Sequence, residues 1–396
     1  MTRQSAGVNE SPAIAAFCRR FPGVAPTASI VVPGRVNLIG EHVDYCGGIV
    51  LPMAIESSLR ILTAPASKSY LSVFSETHDE FFECYLSDLE RPVNGWPAYV
   101  VGVARELRRR DVMLGGIALA IGGDIPIGAG LSSSAALCAG IAMAILNVAG
   151  VTLPSFELAI LCQDAEHFSV GVPCGIMDPL VCLSARRDNA LRIDCRTGES
   201  RHVPWPSRDL VAIVVDSRIR RELAEAEYAV RESQCRVAET SLMQLDPRVG
   251  SLRDLAAAAL ISYQDRLDPV EFRRARHVVT EINRADRATD ALVVGDADLF
   301  GRLMNESHAS LRDDFECCPP QIDDLATVVR DCSGVYGARM TGGGFGGCVV
   351  ALARRAAMPS VEQAVRERYD RRYGVTAQAW CCTPCQGATL TPLDHP

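Results

Sequence analysis

The stretch PGRVNLIGEHVDYCGGIVLP, from Pro33 to Pro52, sets Arg35, Asn37, Glu41, His42, Asp44 and Tyr45 between two apolar segments, SIVV before it and GIVLPMAI after it. Both flanks have the character of buried strands. A surface connection needs no such concentration of polar groups, whereas a pocket for a ligand covered in hydroxyls does. Glu41 and Asp44 supply acceptors, and His42 an imidazole donor, within four positions. A hydroxyl both donates and accepts, so such a cluster suits a ligand that presents several of them. The His42-x-Asp44 spacing is also half of a metal site, but no further histidine stands at ligand spacing.

A second stretch, PIGAGLSSSAALCAGIAMAIL (126–146), brings Gly128, Gly130, Leu131, Ser132, Ser133 and Ser134 to the start of an apolar helix. The glycines let the backbone curl through positive φ, and the serines offer amides and hydroxyls at the positive end of the helix. This suits a phosphate. An ordinary helix start needs one serine as N-cap, not three. The chain has a single lysine, Lys68, and no GK pair. Without a GK pair there is no P-loop, and the HRD and DFG signatures of protein kinases are absent, so if the chain handles ATP, amides, hydroxyls and arginine do the phosphate work. A third stretch, MTGGGFGGCVVAL (340–352), contains a formal GxGxxG at Gly342, Gly344 and Gly347. Dinucleotide binding needs a helix to open inside that motif. Here CVVALA continues as a strand, so the loop is predicted to be a hairpin packed against the phosphate loop or the sugar pocket.

These loops need elements to hold them. Strands are predicted over 28–64, and an antiparallel pair over 71–86 with its turn near His78. WPAYVVGVARELRRR (96–110) has the pattern of an amphipathic helix with a basic last turn. A strand at GGIALAIGGDIP, the helix from Ala135 to about Val148 and another over 155–170 follow. LVCLSARRDNALRIDC (180–195) suggests a hairpin of two strands around Arg187–Asn189. Composition shifts after PWPSRD (204–209), placing a boundary between an N-terminal domain (12–205) and a C-terminal one (206–396). The second opens with a buried strand, LVAIVVDS, and continues as a helical tract from about Arg220 to Arg330, broken at DPVEF and VGDAD. Strands return at GVYGARM and CVVALA, then a surface helix, and TAQAWCCTP as the last strand. The order predicts a mixed antiparallel α+β protein of two domains.

At 396 residues the chain exceeds one compact core. Its 48% apolar and 22% charged residues are those of a soluble enzyme, and a net charge of −8 offers no basic face to nucleic acid or lipid. No apolar run approaches the roughly 20 residues of a membrane span, and the first residues lack the apolar core of an export signal. A cytoplasmic protein, monomeric or weakly homo-oligomeric, is expected. The sixteen cysteines are scattered and suit a reduced compartment. Only Cys381, Cys382 and Cys385 approach a zinc spacing, and they have no partner pair. The histidines at 78, 167, 202, 277, 308 and 395 are expected to be structural or surface groups, and Arg312–Asp314 a solvated helix end.

Taken together, PGRVNLIGEHVDYCGG, PIGAGLSSSAA and MTGGGFGG resemble the three motifs of the GHMP small-molecule kinases, the first of them in its galactokinase form. CQDAEHFSVGVPCGIMD, EYAVRESQC, FRRARHVVTEI and FGRLMNESHASLRDDFE are similar to further segments of that subfamily, so the resemblance covers about residues 12 to 380. It implies an N-terminal domain like domain 2 of ribosomal protein S5, a ferredoxin-like C-terminal domain, and an active site between them. It also implies transfer of the γ-phosphoryl of ATP, with Mg2+, to the anomeric hydroxyl of galactose. By position, Asp178 falls on the catalytic aspartate and Arg35 on its arginine partner. Glu41, His42, Asp44, Gly175 and Tyr228 fall on sugar contacts, Ser134 and Glu166 on magnesium positions, and Trp96 on an adenine-pocket tryptophan. Val43, Cys46 and Pro179 depart from the threonine, asparagine and glutamine usual there, on the sugar side.

An anomeric hydroxyl is a weak nucleophile and gains from a carboxylate that accepts its proton. An adjacent Arg35 would keep Asp178 ionised and stabilise charge on the transferred group. Asp178 serves equally as general base or as orienting group in this scheme. Other outcomes of the same motifs are a kinase for N-acetylgalactosamine or arabinose, and a sensor that binds sugar and ATP without catalysis. Intact GLSSSAA, Arg35 and Asp178 speak against the sensor.

Overall fold

The computed structural model describes residues 10–66, 69–171, 174–220 and 224–393, so Lys68 and His395 lie outside it. The first half runs α1 (Glu10–Arg20), β1 (Ala28–Asn37), β2 (Ile49–Val50), β3 (Pro52–Pro65), β4 (Tyr70–Ser75), β5 (Glu80–Tyr85), α2 (Trp96–Arg109) and β6 (Ile117–Gly123). Then come α3 (Ser133–Ala149), α4 (Ser155–Val170), α5 (Met177–Ser184), β7 (Asn189–Asp194) and β8 (Ser200–Pro204). The second half comprises β9 (Leu210–Asp216), α6 (Ala224–Leu245), α7 (Ala257–Leu260), α8 (Pro269–Val294), α9 (Ala297–Asp313) and α10 (Pro320–Arg330). It ends with β10 (Val335–Thr341), β11 (Cys348–Arg354), α11 (Met358–Ala364), α12 (Arg371–Tyr373), β12 (Gln378–Cys382) and β13 (Thr389–Pro392).

A six-stranded sheet in the order β13-β1-β3-β6-β4-β5 carries the first half, antiparallel except where β4 meets β6. The apolar helix α3 lies on β1 and β3 and is flanked by α2, α4 and α5. The second half is a four-stranded antiparallel sheet, β10-β11-β9-β12, with α9 and α10 against β10. The molecule is α+β, and no helix among the described residues is long and apolar enough to cross a membrane.

Local sequence explains the breaks. Asp268 caps α8 by accepting from the Val270 amide at 2.8 Å, and Gly295 ends that helix at φ 75°. Asp296 then caps α9 through the Leu299 amide at 2.9 Å. In β1 the register against β3 shifts between Pro33 and Arg35. That bulge turns the strand so that the Arg35 amide reaches Leu131 O at 3.2 Å, in the loop before α3.

Three expectations are corrected. Residues 180–184 are not a strand: they belong to α5, which buries Leu180, Val181 and Cys182 between α3, α4 and β1, and β7 pairs instead with β8. Periodicity cannot separate strand from helix in so short an apolar run. TAQAWCCTP is not the last strand, because β13 follows and pairs with β1 from Ala28↔Pro392 to Val31↔Thr389. The end of the chain thus rejoins the first sheet, across the expected boundary at 205/206. Asp314 is not solvated either: it is 8% exposed and bonded to Arg276 and Ser310.

The seat of β10 on α9 is set by two glycines. A Cβ on Gly301 would lie 2.2 Å from Tyr336 O, and one on Gly337 2.1 Å from Gly301 O, and backbone atoms cannot step aside. Gly301→Ala or Gly337→Ala is expected to cost about 1–3 kcal/mol or more of stability, read as a lower denaturation midpoint at unchanged m-value.

Candidate active site

A cavity of about 600 Å³ opens between the two halves. Arg35, Glu41, His42, Asp44, Gly128, Gly130, Leu131, Ser132, Ser133, Ser134, Glu166, Gly175, Asp178 and Tyr228 all line it, from β1, the loops after β1 and before α3, and α3, α4, α5 and α6. Trp96 is the exception. It sits at the start of α2, donates from Nε1 to Glu80 at 2.8 Å and stacks on His78, while Tyr99, on the same helix three residues later, reaches the cavity wall. Val43, Cys46 and Pro179 are also absent from the lining, so those departures stand behind the wall.

Arg35 and Asp178 form a two-pronged pair, Nε to Oδ1 at 2.8 Å and Nη2 to Oδ2 at 2.6 Å. The third arm of the guanidinium, Nη1, donates to Gly130 O at 2.6 Å. Arg35 is 5% exposed. Burial alone would pull its pKa down, but the carboxylates of Asp178 and Glu41 outweigh that and raise it. Ser132 Oγ also donates to Asp178 Oδ2, at 2.5 Å. An ionised carboxylate has about four acceptor positions. Three are taken, and the one left belongs to Oδ1.

The loop before α3 passes through Gly128 at φ 70°, Gly130 at φ 76° and Ser132 at φ 60°. Ser132 precedes the helix but does not cap it. Its hydroxyl goes to Asp178, which leaves the first amides of α3 for an anion. Opposite, Gly342–Gly347 link β10 and β11 as the expected hairpin, and Gly342 packs in ordinary van der Waals contact with Gly130, a Cβ there falling 3.5 Å from Gly130 O. Arg220 also lines the cavity. It is held by Asp216 at 2.8 Å through each of Nη1 and Nη2, and its Nε is 3.5 Å from where a Gly128 Cβ would sit. Sequence reasoning missed Arg220, Tyr99, Thr341 and Phe345. For Arg220 the available signal was an arginine just past a buried strand in a chain almost without lysine.

At the other end the acids divide their work. Glu41, 3% exposed, is consumed by the protein: Oε1 accepts from Thr341 Oγ1 at 2.9 Å and the Gly342 amide at 2.7 Å and faces Arg339 at 3.1 Å, while Oε2 accepts from Asn37 at 2.9 Å. His42 sits at φ 57°. Its Nε2 faces Gly343 O at 3.2 Å and its Nδ1 the Tyr45 hydroxyl at 3.0 Å, so Nε2 carries the proton and Nδ1 accepts. The imidazole donor expected for a ligand is therefore spent on Gly343. Burial, with His277 nearby, drives His42 down to about 3, and the ring is neutral. Asp44 remains open. Its carboxylate packs on Gly175, where a Cβ would fall 1.6 Å from Oδ2. Burial and the charge of Asp178 push Asp44 up to about 7. The same two causes push Glu166 up to about 7, with the Ser134 hydroxyl as its hydrogen-bond partner.

Three family descriptions match segments of the chain: the galactokinase galactose-binding signature (15–65), the GHMP kinase N-terminal domain (98–186) and the GHMP kinase C-terminal domain (288–371). A galactokinase from Roseiflexus sp. (strain RS-1) is 41% identical over 366 residues, 92% of this chain and 93% of that protein. Among solved structures, Lactococcus lactis galactokinase complexed with galactose is 32% identical, with a TM-score of 0.92 over 96% of this chain and 99% of that one. Methanococcus jannaschii mevalonate kinase, at 18% identity and a TM-score of 0.62 over 90% of this chain and 98% of that one, shares the fold. With both halves, the sugar signature and nearly full-length identity in agreement, the chain belongs to the galactokinase family of the GHMP kinases.

Proposed function

We infer that this protein is a galactokinase: it transfers the γ-phosphoryl group of ATP to the anomeric hydroxyl of D-galactose. The observation that carries the assignment to this cavity is the Arg35–Asp178 pair, which stands between the glycine–serine loop and the Asp44–Gly175 wall. In this reading ATP lies with its phosphates on the amides of Gly128–Ser134, and Arg220 and Arg35 bring positive charge to the transferred group. Galactose lies against Asp44, Gly175 and Tyr228, with Glu41 and His42 shaping that wall through the bonds they make to the protein. The anomeric hydroxyl donates to the free position on Asp178 Oδ1. As its oxygen bonds to the γ-phosphorus, the bond to the β-bridging oxygen breaks, ADP departs, and the hydroxyl proton passes to Asp178 and on to solvent.

A magnesium ion would find hard oxygen donors in the Ser134 hydroxyl and the Glu166 carboxylate. Glu166 is 3% exposed and short of counter-charge, as its upward shift records, so the residues present fit the ion. When bound, the ion neutralises phosphate charge. The chain's own part is to hold the donors in place.

Three outcomes follow. ADP release should be fast with galactose and slower by about tenfold or more with glucose, which differs at one hydroxyl; equal rates with both sugars would remove the galactose assignment. Asp178→Asn keeps the shape of the pair but removes its charge, and kcat should fall by about 10²–10⁴. A kcat within tenfold of wild type would displace Asp178 from the reacting centre. For Glu166, a carboxyl raised to about 7 is protonated below that pH and must lose the proton to bind a cation. The Mg2+ concentration for half-maximal activity should therefore rise by about tenfold per pH unit below 7 and level off above it. In Glu166→Gln this slope should vanish.

A further inference from the structure

The backbone of the sugar-facing loop is held from the second half of the molecule by a carboxylate that lines no part of the cavity. Glu281 lies midway along α8 and is 0% exposed. Its Oε1 accepts from the amides of Gly40 at 2.9 Å and Glu41 at 3.3 Å, and from the Ser307 hydroxyl on α9 at 2.6 Å. Its Oε2 accepts from Arg284 Nε at 2.7 Å. One turn earlier on the same face, His277 donates from Nε2 to Glu41 O at 3.0 Å, with Nδ1 3.0 Å from Ser310 Oγ. The amides of residues 40 and 41 and the carbonyl of 41 thus all end on one face of α8.

This matters because the loop cannot hold its own shape. Gly40 at φ 96° and His42 at φ 57° flank Glu41, and a Cβ on Gly40 would lie 2.6 Å from Ile49 O. Two left-handed residues so close together persist only when surrounding groups over-determine them. Consecutive amides in such a curve form a concave row of donors, which a buried anion collects. Burial would raise the Glu281 carboxyl, but the guanidiniums of Arg284 and Arg339 outweigh that and hold it down at about 2, so it is that anion. The Glu41 side chain is meanwhile tied to β10, which leaves the curvature of its backbone to α8.

We propose that Glu281, seconded by His277, is a positioning residue of the galactose site: it sets the curve of Gly40–His42 and thereby aims Asp44 at the sugar. The proposal rests on the galactokinase reading of the cavity. A carboxylate that merely fastened α8 to the core would, when neutralised, weaken the protein and both substrates alike.

The test compares full-length wild type, Glu281→Gln and Ser307→Ala. The readouts are hydrogen exchange at the Gly40 and Glu41 amides and separate KM values for galactose and ATP. In Glu281→Gln the two amides should exchange at least roughly tenfold faster while peptides from α3 keep their wild-type rates. The galactose KM should rise roughly tenfold, with the ATP KM within about twofold. Ser307→Ala, which spares the Arg284 pair, should move both readouts the same way by roughly two- to fivefold, and it decides the matter if Glu281→Gln does not fold. Wild-type exchange at Gly40 and Glu41 in a folded variant, or KM values for both substrates rising together, would overturn the proposal. Exchange is read without turnover, so a wild-type protein inactive on galactose would sink the assignment of the cavity while leaving the test of the Glu281 clamp intact.

Discussion

A guanidinium withdrawn from water has to meet an anion, and Arg35 meets one only if three separate pieces of chain arrive together. β1 must bulge after Pro33, the loop before α3 must bring Gly130 O within reach, and α5 must begin where Asp178 faces inward. Leaving such a charge unpaired costs about 3–5 kcal/mol, so the pair fastens the fold as well as lining the cavity. The shift of α5 from the expected strand to a helix is part of the same requirement. A helix start places a carboxylate and its neighbours on one side, and Gly175, just before it, lets Asp44 come in close.

The cavity is rich in acid, but its acids are not equivalent. Glu41 is neutralised and saturated by Arg339, Asn37, Thr341 and the Gly342 amide. Asp178 is shared by Arg35 and Ser132. Asp44 and Glu166 have fewer partners, and burial raises both toward neutrality. Those two are the positions where an incoming hydroxyl or cation gains most, because it supplies what the protein withholds. In the proposed function the sugar end and the metal end would each be marked by a carboxyl raised by burial, with the Arg35–Asp178 pair between them.

The sequence made the site more legible than the architecture around it. Glycines and serines before an apolar run, and a polar knot between two strands, announced two walls of the cavity, because these residue types have few structural uses in such places. Helix breaks were equally plain, since Asp268, Gly295 and Asp296 do at α8 and α9 what their chemistry favours. What stayed hidden depends on contacts distant in sequence. Nothing near Glu41 or His42 shows that their polar atoms are consumed by residues some 300 positions away. LVCLS could not declare itself helical without α3 and α4 beside it. Tyr99 rather than Trp96 reaches the cavity because the turn of α2 decides which aromatic faces inward.

One feature of the topology bears on how the molecule is made. β13 completes the edge of β1, and β1 is the strand that carries Arg35. Most of the first sheet can assemble long before β13 is made, but the β1 edge at Ala28–Val31 stays bare until that strand arrives. Until then the growing chain exposes a row of unpaired backbone groups on the strand that also carries Arg35, open to any passing strand. β13 is thus the clasp that closes the early half, made long after the strand it covers.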